Sequence, residues 1–475
     1  MAERPLWTVQ ELLAATGGHL TGEITKPITG ISIDSRELVQ GDVFVAIRGE
    51  KMDGHDFVPA ALKAGAAAAL VSKPTPEMEA AGPVLTVRDD PLRGLEAMGR
   101  AARNWNQGKS IAVTGSVGKT STKEMLRVAL SASGQTHASA ASFNNHWGVP
   151  LTLARFPRHA AFGVFEIGMN HAGEITPLVD MVKPHIAIIT TIAESHIGHF
   201  KSLDEIADAK AEIFSGLVAG GIGIINRDTP YYDRLAQSAR SQGVTNIVSF
   251  GVHEKADVRM ERVALHPTCC CITADVMGEP VLYKLGMPGK HMAVNSLAVL
   301  AAVKLAGADL ARAALALAEA APAKGRGVQE RLRGEAGEIL LIDESYNANP
   351  ASVAAALGLL AQAKPSKNGR RIAVLGDMLE LGDFGPELHA GLANNIDGQL
   401  LDRLYATGPL MTHLWAAVSP SRRGAHTQNS AELAKILVPV LRDGDVIMVK
   451  GSLGSKMAVV VEAIRNNFKP VPGGN

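Results

Sequence analysis

Ile111-Ala-Val-Thr-Gly-Ser-Val-Gly-Lys-Thr-Ser121 joins an apolar run to a glycine-rich loop, and a helical stretch follows it. The run predicts a buried strand, and a strand–loop–helix context is what a phosphate-binding loop requires. The helix N-terminus adds positive potential, Lys119 can reach terminal phosphates, and Thr120 can ligate Mg²⁺. Position 113, where the longer loop pattern has glycine, is valine, so this loop is a shortened form. We predict a nucleotide site formed by Gly115, Ser116, Val117, Gly118, Lys119, Thr120 and Ser121; the alternative is a glycine-rich turn with a solvated lysine.

The residues after the loop alternate between apolar runs and helical stretches. This alternation predicts a parallel sheet with crossover helices. Residues 258–287 change to short alternating strands, which indicates a small antiparallel addition, and two helices follow at about 290–306 and 308–320. The segment 322–327 is the predicted linker. We therefore place a central domain at residues 89–326, with strands expected at 111–114, 163–167, 186–192, 222–225 and 247–250.

Two smaller α/β domains are predicted on either side, because 475 residues are too many for one core. The N-terminal domain, 1–88, begins with a capping-box pattern at Thr8 and Glu11 and has strands expected at 31–33, 43–47, 67–71 and 84–87. The C-terminal domain, 327–475, has strands expected at 339–343, 371–376, 403–406 and 446–450. The predicted fold is α/β with three domains.

Composition excludes several classes of protein. Lys and Arg total 47 and Asp and Glu total 47, so the net charge is zero, and we expect neither nucleic-acid binding nor attraction to an anionic membrane. The most apolar region, 298–323, is interrupted by charged residues, so we expect no membrane insertion. The N-terminus has no long apolar stretch, so we expect no secretory signal. Three consecutive cysteines at 269–271 should alternate across a strand, which favours a reduced, cytoplasmic compartment.

Further motifs follow the loop in a fixed order, and together with it they resemble the Mur ligase family over nearly the whole chain. The loop alone is also similar to that of folylpolyglutamate synthases, but the segment at 34–36 argues against them. The motifs are Asp34-Ser-Arg36, Gly41-Asp-Val-Phe44, Asn144-Asn145, Gly148-Val-Pro150, Glu166-Ile-Gly168, His196, Lys210-Ala-Glu-Ile-Phe214, Gly289-Lys-His291, Asn295, Arg331-Leu332, Asp343-Glu-Ser-Tyr-Asn347, Gly376-Asp-Met378 and Lys450-Gly-Ser452. The resemblance implies a central P-loop parallel-sheet domain and a Rossmann-like C-terminal domain.

The resemblance implies two Mg²⁺ ions, with Thr120, Glu166, His196 and Lys210 as ligands. A carboxylate at a strand end suits Mg²⁺, although Glu166 could instead cap a helix. His196 could be structural, and His199 competes for its role. Lys210 reads on sequence alone as a solvated helix lysine, but the family uses a lysine here as a carbamate. A carbamate supplies a negative oxygen beside two metal ions, where an ammonium would be repelled. Catalytic roles are therefore implied for Lys119, Lys210 and His196.

Other roles implied by the resemblance concern the nucleotide and the substrates. Asn295 would read the adenine edge, Arg331 would reach a phosphate, and Asp343 would accept from ribose hydroxyls; each could also be structural. Ser35 and Arg36 would contact a uridine diphosphate. Four further residues are expected to line the substrate cleft: Asn144, Asn145, Tyr346 and Asn347.

Two segments, 166–175 and 376–382, resemble the family branch that adds D-alanyl-D-alanine to a UDP-N-acetylmuramoyl-tripeptide, and the tetrapeptide Asp-Asn-Pro-Arg of a sister branch is absent. This implies an ATP-dependent amide ligase with an acyl-phosphate intermediate, acting as a monomer in cytoplasmic peptidoglycan precursor synthesis. A P-loop kinase or NTPase and a catalytically silent binding module are the alternatives from other classes. The general base and the third peptide residue, diaminopimelate or lysine, stay open.

Overall fold

A computed structural model of the chain describes residues 5–140, 142–399 and 401–471. Within these residues it has three sheets, each built from one continuous part of the chain and covered by its own helices. The predicted three-domain α/β architecture is confirmed, whereas the boundaries 1–88, 89–326 and 327–475 stay predictions. Residues 1–4 lie outside the described residues. They begin the N-terminal segment from which we predicted that there is no secretory signal.

The first sheet has the order β1-β5-β4-β3-β2, in which only β1 is antiparallel to its neighbour. The capping box is confirmed, since Thr8 and Glu11 each accept a hydrogen bond from the other's backbone N–H. The elements are β1 His19–Thr21, β2 Gly30–Ser32, β3 Asp42–Val45, β4 Ala68–Val71, β5 Val84–Thr86, α1 Val9–Thr16, α2 Val58–Lys63 and α3 Pro76–Ala81.

The middle sheet has nine strands in the order β14-β13-β12-β11-β10-β9-β6-β8-β7. Its strands are β6 Lys109–Thr114, β7 Thr136–Ala138, β8 Phe162–Glu166, β9 Ile186–Ile189, β10 Ile222–Asn226, β11 Asn246–Gly251, β12 Val258–Leu265, β13 Cys270–Val276 and β14 Pro280–Leu285. The antiparallel addition is confirmed, and it extends the main sheet because β12 pairs in parallel with β11. Cys270 is buried between two half-buried cysteines, so the predicted alternation is confirmed.

Helices cover both faces of the middle sheet, so its central strands are buried and read as continuous apolar runs. α10 is buried on most of its surface. The helices that precede, connect and follow these strands are α4 Pro91–Trp105, α5 Lys119–Ser131, α6 Gly148–Ala154, α7 Ile175–Val182, α8 Leu203–Ala211, α9 Tyr232–Ser241, α10 Lys290–Leu305 and α11 Leu310–Ala316.

The third sheet has the order β19-β18-β17-β20-β16-β15-β21, with antiparallel pairing only at β15. Its strands are β15 Val328–Gly334, β16 Gly337–Glu344, β17 Arg371–Gly376, β18 Arg403–Thr407, β19 Arg423–Thr427, β20 Val446–Lys450 and β21 Lys469–Pro470. Its helices are α12 Pro350–Gln362, α13 Gly385–Gly391, α14 Ala393–Asp397, α15 Met411–Ala417, α16 Ser430–Leu437 and α17 Ala458–Asn467. Short 3₁₀ helices occur at Gly54–Phe57, Ile197–His199, Glu212–Gly216, Leu317–Glu319, Gly382–Phe384, Pro420–Arg422, Val438–Val440 and Leu453–Ser455.

Hydrogen bonds join the first domain to the middle one. Trp7 donates from Nε1 to the Ala154 carbonyl at 2.8 Å, and Arg155 donates from Nε to the Ile31 carbonyl at 2.6 Å. The third domain contacts the middle one through the loops described below, and one cluster of buried apolar residues includes side chains from both. Among the described residues no helix is both long and apolar enough to cross a membrane.

Candidate active site

A cleft of about 600 Å³ lies between the middle and third domains. It opens at the carboxyl ends of β6 and β8, where parallel α/β sheets bind their ligands. The structure brings eleven of the predicted site residues to its walls: Ser116, Val117, Gly118, Lys119, Thr120, Ser121, Asn144, Glu166, His196, Tyr346 and Asn347.

Two glycines of the loop have backbone conformations and close contacts that a residue with a side chain could not adopt. Gly115 has φ +148° and Gly118 has φ +88°. A Cβ on Gly115 would overlap the hydroxyl of Thr190, and one on Gly118 would overlap the side-chain amide of Asn295. The Thr190 hydroxyl donates to the Val117 carbonyl at 2.6 Å, and Ser116 donates to the Ala193 carbonyl at 2.9 Å. The loop is therefore held in shape by the segment that follows β9.

Lys119 begins α5 and donates from Nζ to the Gly115 carbonyl at 2.6 Å. Its pKa is lowered to about 8, chiefly by burial; the charge of Glu166 opposes this shift and the charge of Arg326 adds to it. A phosphate placed in the loop would favour the charged ammonium, because opposite charges stabilise each other. The loop and this lysine together form a site for a phosphorylated ligand.

Glu166 ends β8 and is 1% exposed. Its Oε1 accepts a hydrogen bond from Asn144 Nδ2 at 2.7 Å, whereas its Oε2 is buried with no hydrogen-bond partner in the described part of the chain. A buried carboxylate oxygen without a partner is costly unless a cation or donor meets it. Thr120 is also buried, with Oγ1 3.5 Å from Ser142 Oγ. These oxygens fit the ligand preference of Mg²⁺.

Lys210 lies near the end of α8 and is 1% exposed. The alternative of a solvated surface lysine is therefore wrong. Burial lowers its pKa well below the usual range, and the charge of Lys119 lowers it further. An uncharged amine is the form that can react with CO₂, so this environment suits carbamate formation. The described residues contain no group of three or more His, Cys, Asp or Glu side chains that could hold a metal ion.

His196 follows β9 in a left-handed conformation, with φ +59°. Its Nδ1 lies 2.5 Å from Oε2 of Glu380, which belongs to the third domain. This contact lowers the pKa of Glu380. The competing His199 is exposed and does not line the cleft; its ring lies tilted against that of His171, with centroids 4.4 Å apart.

An arginine of the linker lines the cleft, but it is not the predicted one. Arg326, in the linker, donates to Ser142 Oγ at 3.0 Å and lies over the ring of Tyr346, with its guanidinium carbon 4.2 Å from the ring centroid. Arg331 is exposed on β15, where its Nη1 lies 3.4 Å from Glu338. Arg326 therefore lines the cleft and Arg331 does not, and the phosphate contact predicted for Arg331 stays a prediction.

Two other residues predicted to bind the nucleotide do not line the cleft. Asp343 is buried at the end of β16, where it accepts hydrogen bonds from Ser345 and from Arg465. Asn295 lies on α10 beneath Gly118, with its amide against the loop backbone. In this arrangement Asp343 stabilises a turn and Asn295 supports the loop.

The predicted substrate residues also divide. Asn145 accepts hydrogen bonds from the backbone N–H groups of Trp147 and Gly148, which caps the start of α6. Arg36 is exposed and forms a bidentate pair with Asp34, whose pKa falls to about 2 because of that hydrogen bond. Ser35 lies beside them in the same loop, away from the cleft walls.

Sequence reasoning assigned no role to four charged cleft residues: Arg326, Glu344, Glu380 and Lys450. Lys450 is buried and donates to Glu344 at 3.0 Å and to the Asn347 carbonyl at 2.9 Å. Three of them could have been predicted from the sequence, because Glu344 and Lys450 lie within the family motifs given above and Glu380 lies within the segment 376–382.

Three models of one protein family match the chain. The model described as "Mur ligase family, catalytic domain" matches residues 27–125. The model of the "Mur ligase middle domain" matches residues 113–303, and that of the "Mur ligase, glutamate ligase domain" matches residues 329–453.

Individual proteins match over nearly their whole length. The UDP-N-acetylmuramoyl-tripeptide–D-alanyl-D-alanine ligase of Rickettsia prowazekii is 32% identical over 468 residues, which cover 96% of this chain and 99% of that protein. A crystal structure of MurF from Acinetobacter baumannii is 30% identical with a TM-score of 0.83, covering 97% of this chain and 99% of that one. MurF ligase from Thermotoga maritima in complex with ADP shares the fold, at 24% identity and a TM-score of 0.74, over 92% of this chain and 97% of that one.

Proposed function

The chain belongs to the Mur ligase family, and we propose that within it the enzyme joins D-alanyl-D-alanine to a UDP-N-acetylmuramoyl-tripeptide, using ATP. The observation that carries the proposal is the cleft, which combines a phosphate loop and a buried Glu166 oxygen that has no hydrogen-bond partner among the described residues with a third-domain wall. The buried Lys210 does not line the cleft, but it is close enough to Lys119 for the two charges to interact. The full-length relatives with this specificity support the choice of substrates. Both substrates and ATP are water-soluble, and the proposal places the reaction in the cytoplasm, with the enzyme as a monomer.

In the first step the terminal carboxylate of the tripeptide attacks the γ-phosphorus of ATP. The bond from that phosphorus to the bridging oxygen breaks, which gives ADP and an acyl phosphate. Backbone N–H groups between Gly115 and Lys119 hold the phosphates, and the Lys119 ammonium stabilises the charge on the transferred group. Arg326 faces the same region from the linker. These groups are already fixed by the loop, so little reorganisation is needed during transfer.

The magnesium ligands proposed are Thr120, Glu166, His196 and the carbamate of Lys210. Bound there, two Mg²⁺ ions would neutralise negative charge on the phosphates. The buried Oε2 of Glu166, which has no hydrogen-bond partner among the described residues, supports this assignment, and the depressed pKa of Lys210 supports its conversion to a carbamate.

In the second step the free amine of D-alanyl-D-alanine attacks the acyl carbon. A tetrahedral intermediate forms, and the nitrogen gives up a proton to solvent. The C–O bond to phosphate then breaks, and phosphate leaves with the electron pair, which gives the amide. Third-domain residues along the cleft, including Asn347 and Lys450, face the incoming dipeptide in this scheme. Closure of the third domain keeps water from the acyl phosphate. The first domain, through Ser35 and Arg36, would hold the uridine diphosphate.

A kinase or NTPase with the same loop would form ADP without any amine co-substrate. The proposed function is therefore tested by measuring phosphate release from ATP with the UDP-tripeptide, in the presence and absence of D-alanyl-D-alanine. We expect turnover to require the dipeptide and to yield one UDP-pentapeptide per phosphate, by mass spectrometry. Turnover that ignores the dipeptide, or that prefers free glutamate or diaminopimelate as the amine, would exclude the proposed specificity.

A further inference from the structure

Two loops from different domains meet at the mouth of the cleft. The middle domain contributes the segment 196–199 after β9, and the third domain contributes the segment 380–384 after β17. His196 Nδ1 lies 2.5 Å from Glu380 Oε2, and the Gly198 N–H donates to the Glu380 carbonyl at 3.0 Å. One residue of the third domain therefore contacts the middle domain through both its side chain and its backbone.

The backbone at this junction is specialised on both sides. His196 has φ +59° and Glu380 has φ +64°, a region in which non-glycine residues are uncommon. Such a conformation is unfavourable and persists only where its surroundings determine it. Gly198 and Gly382 allow the loops to touch, because a Cβ on Gly198 would lie 2.5 Å from the Gly382 nitrogen. The two side chains are thus directed at each other by strained backbones.

Glu380 approaches Nδ1 at ion-pair distance, but among the described residues Nδ1 has no partner with the alignment of a hydrogen bond. A carboxylate this close still favours a proton on Nδ1, which leaves the lone pair on Nε2 for another partner. His196 is 18% exposed at its side chain and lines the cleft together with Glu380. A histidine intended as a cation ligand needs this tautomer and a fixed ring.

We propose that Glu380 is a positioning residue, which orients His196 as a cleft ligand only when the third domain is closed on the middle domain. The inference rests on the proposed function, since it assigns His196 to a divalent cation in the ATP site. It makes the complete cation site dependent on domain closure, so ATP chemistry would be supported only in the closed enzyme.

The test compares Glu380→Gln with Asp383→Asn in the full chain. Asp383 is an exposed acid on the same loop, so its variant removes the same charge without touching His196. A second variant, Glu380→Asn, suits the left-handed backbone, because asparagine tolerates it better than most residues. The readouts are Mn²⁺ bound per chain, by electron paramagnetic resonance with a non-hydrolysable ATP analogue, and the separate kcat and KM values.

We expect both Glu380 variants to bind the weaker Mn²⁺ ion about 10–100-fold less tightly, the usual effect of losing such a carboxylate partner. Their kcat should fall by a similar factor while KM for ATP changes little. Asp383→Asn should match the wild type. Unchanged Mn²⁺ binding in both Glu380 variants, or an equal loss in Asp383→Asn, would overturn the inference. A wild-type enzyme without dipeptide-dependent turnover would instead refute the proposed function, because the Mn²⁺ measurement does not require turnover.

Discussion

The substitution Gly118→Ala tests whether the geometry of the glycine loop determines nucleotide binding. Gly118 has φ +88°, where an alanine is strained by about 1–2 kcal/mol. The new methyl would also overlap Asn295 Nδ2 and lie 3.4 Å from its Cγ. Because Asn295 is buried, displacing its amide from a rotamer adds about 0.5–1.5 kcal/mol. The total penalty is therefore about 2 kcal/mol.

This penalty must be visible in one of two measurements. If the loop keeps its shape, the free energy of unfolding falls; if the loop relaxes, ADP binding has to restore it. A penalty of 2 kcal/mol carried wholly by binding corresponds to an ADP Kd about 30-fold higher. Calorimetric titration of Mg·ADP and urea unfolding, done on the same preparation, give the two parts, and their sum is the predicted quantity.

The matched control is Gly220→Ala. Gly220 has φ +74° but nothing within 4 Å of an added Cβ, and it precedes β10 at the opposite end of the middle sheet. It should lose about 1 kcal/mol of stability from strain and bind ADP as the wild type does. If Gly118→Ala kept both wild-type stability and wild-type ADP affinity, the overlap argument would be refuted.

Three further predictions concern charged and buried groups. Lys210→Ala should lower activity by more than about 100-fold, because the loss of a metal ligand should cost more than the 10–100-fold that follows the loss of a residue behind a ligand. A short carboxylic acid should restore part of the activity. Wild-type activity in the variant would show that no carbamate at Lys210 is needed. The pKa of His137 is lowered to about 4 by burial, so the folded state favours the neutral imidazole, and the urea midpoint should fall as the pH drops from about 6.5 to 4. His137→Gln should make the midpoint less dependent on pH in this range. An unchanged dependence in the variant would mean that another group causes it. Arg370→Met should reduce stability by about 3 kcal/mol, because the fully buried Asp445 loses its bidentate partner; an unchanged melting temperature would contradict this.

Most of the fold was predictable because the central strands carry their own signal. The runs around Ile111, Ile186 and Ile222 are buried on both faces, so their apolar character marks them without any knowledge of neighbours. The strands that were not predicted are edge or antiparallel strands such as β1, β7, β15 and β19. They are short or rich in polar residues, since one face or one edge meets solvent, and their pattern does not differ from that of a loop.

The candidate site was predictable where its residues are local and not where domains meet. The loop residues from Gly115 to Thr120 are neighbours in sequence, so their convergence is assured by one turn. Two arginines, Arg326 and Arg331, stand five positions apart beside the linker, and only the three-dimensional path decides which one enters the cleft. The contact between His196 and Glu380 joins positions nearly two hundred residues apart and has no local signal.

The bonds between the first and middle domains have a consequence for the length of substrate that the enzyme can use. Arg155, just after the C-terminal end of α6, donates a hydrogen bond to Ile31 on β2, and β2 leads to the loop of Ser35 and Arg36. Shortly before the N-terminal end of α6, Asn144 donates a hydrogen bond to Glu166. A helix of 7 residues, about 10 Å long, therefore lies between the segment that contacts β2 and the segment that contacts Glu166. Under the proposed function, a substrate that reaches both sites has to extend past this helix, and we expect a UDP-sugar with fewer amino acids to bind without supporting phosphate release from ATP.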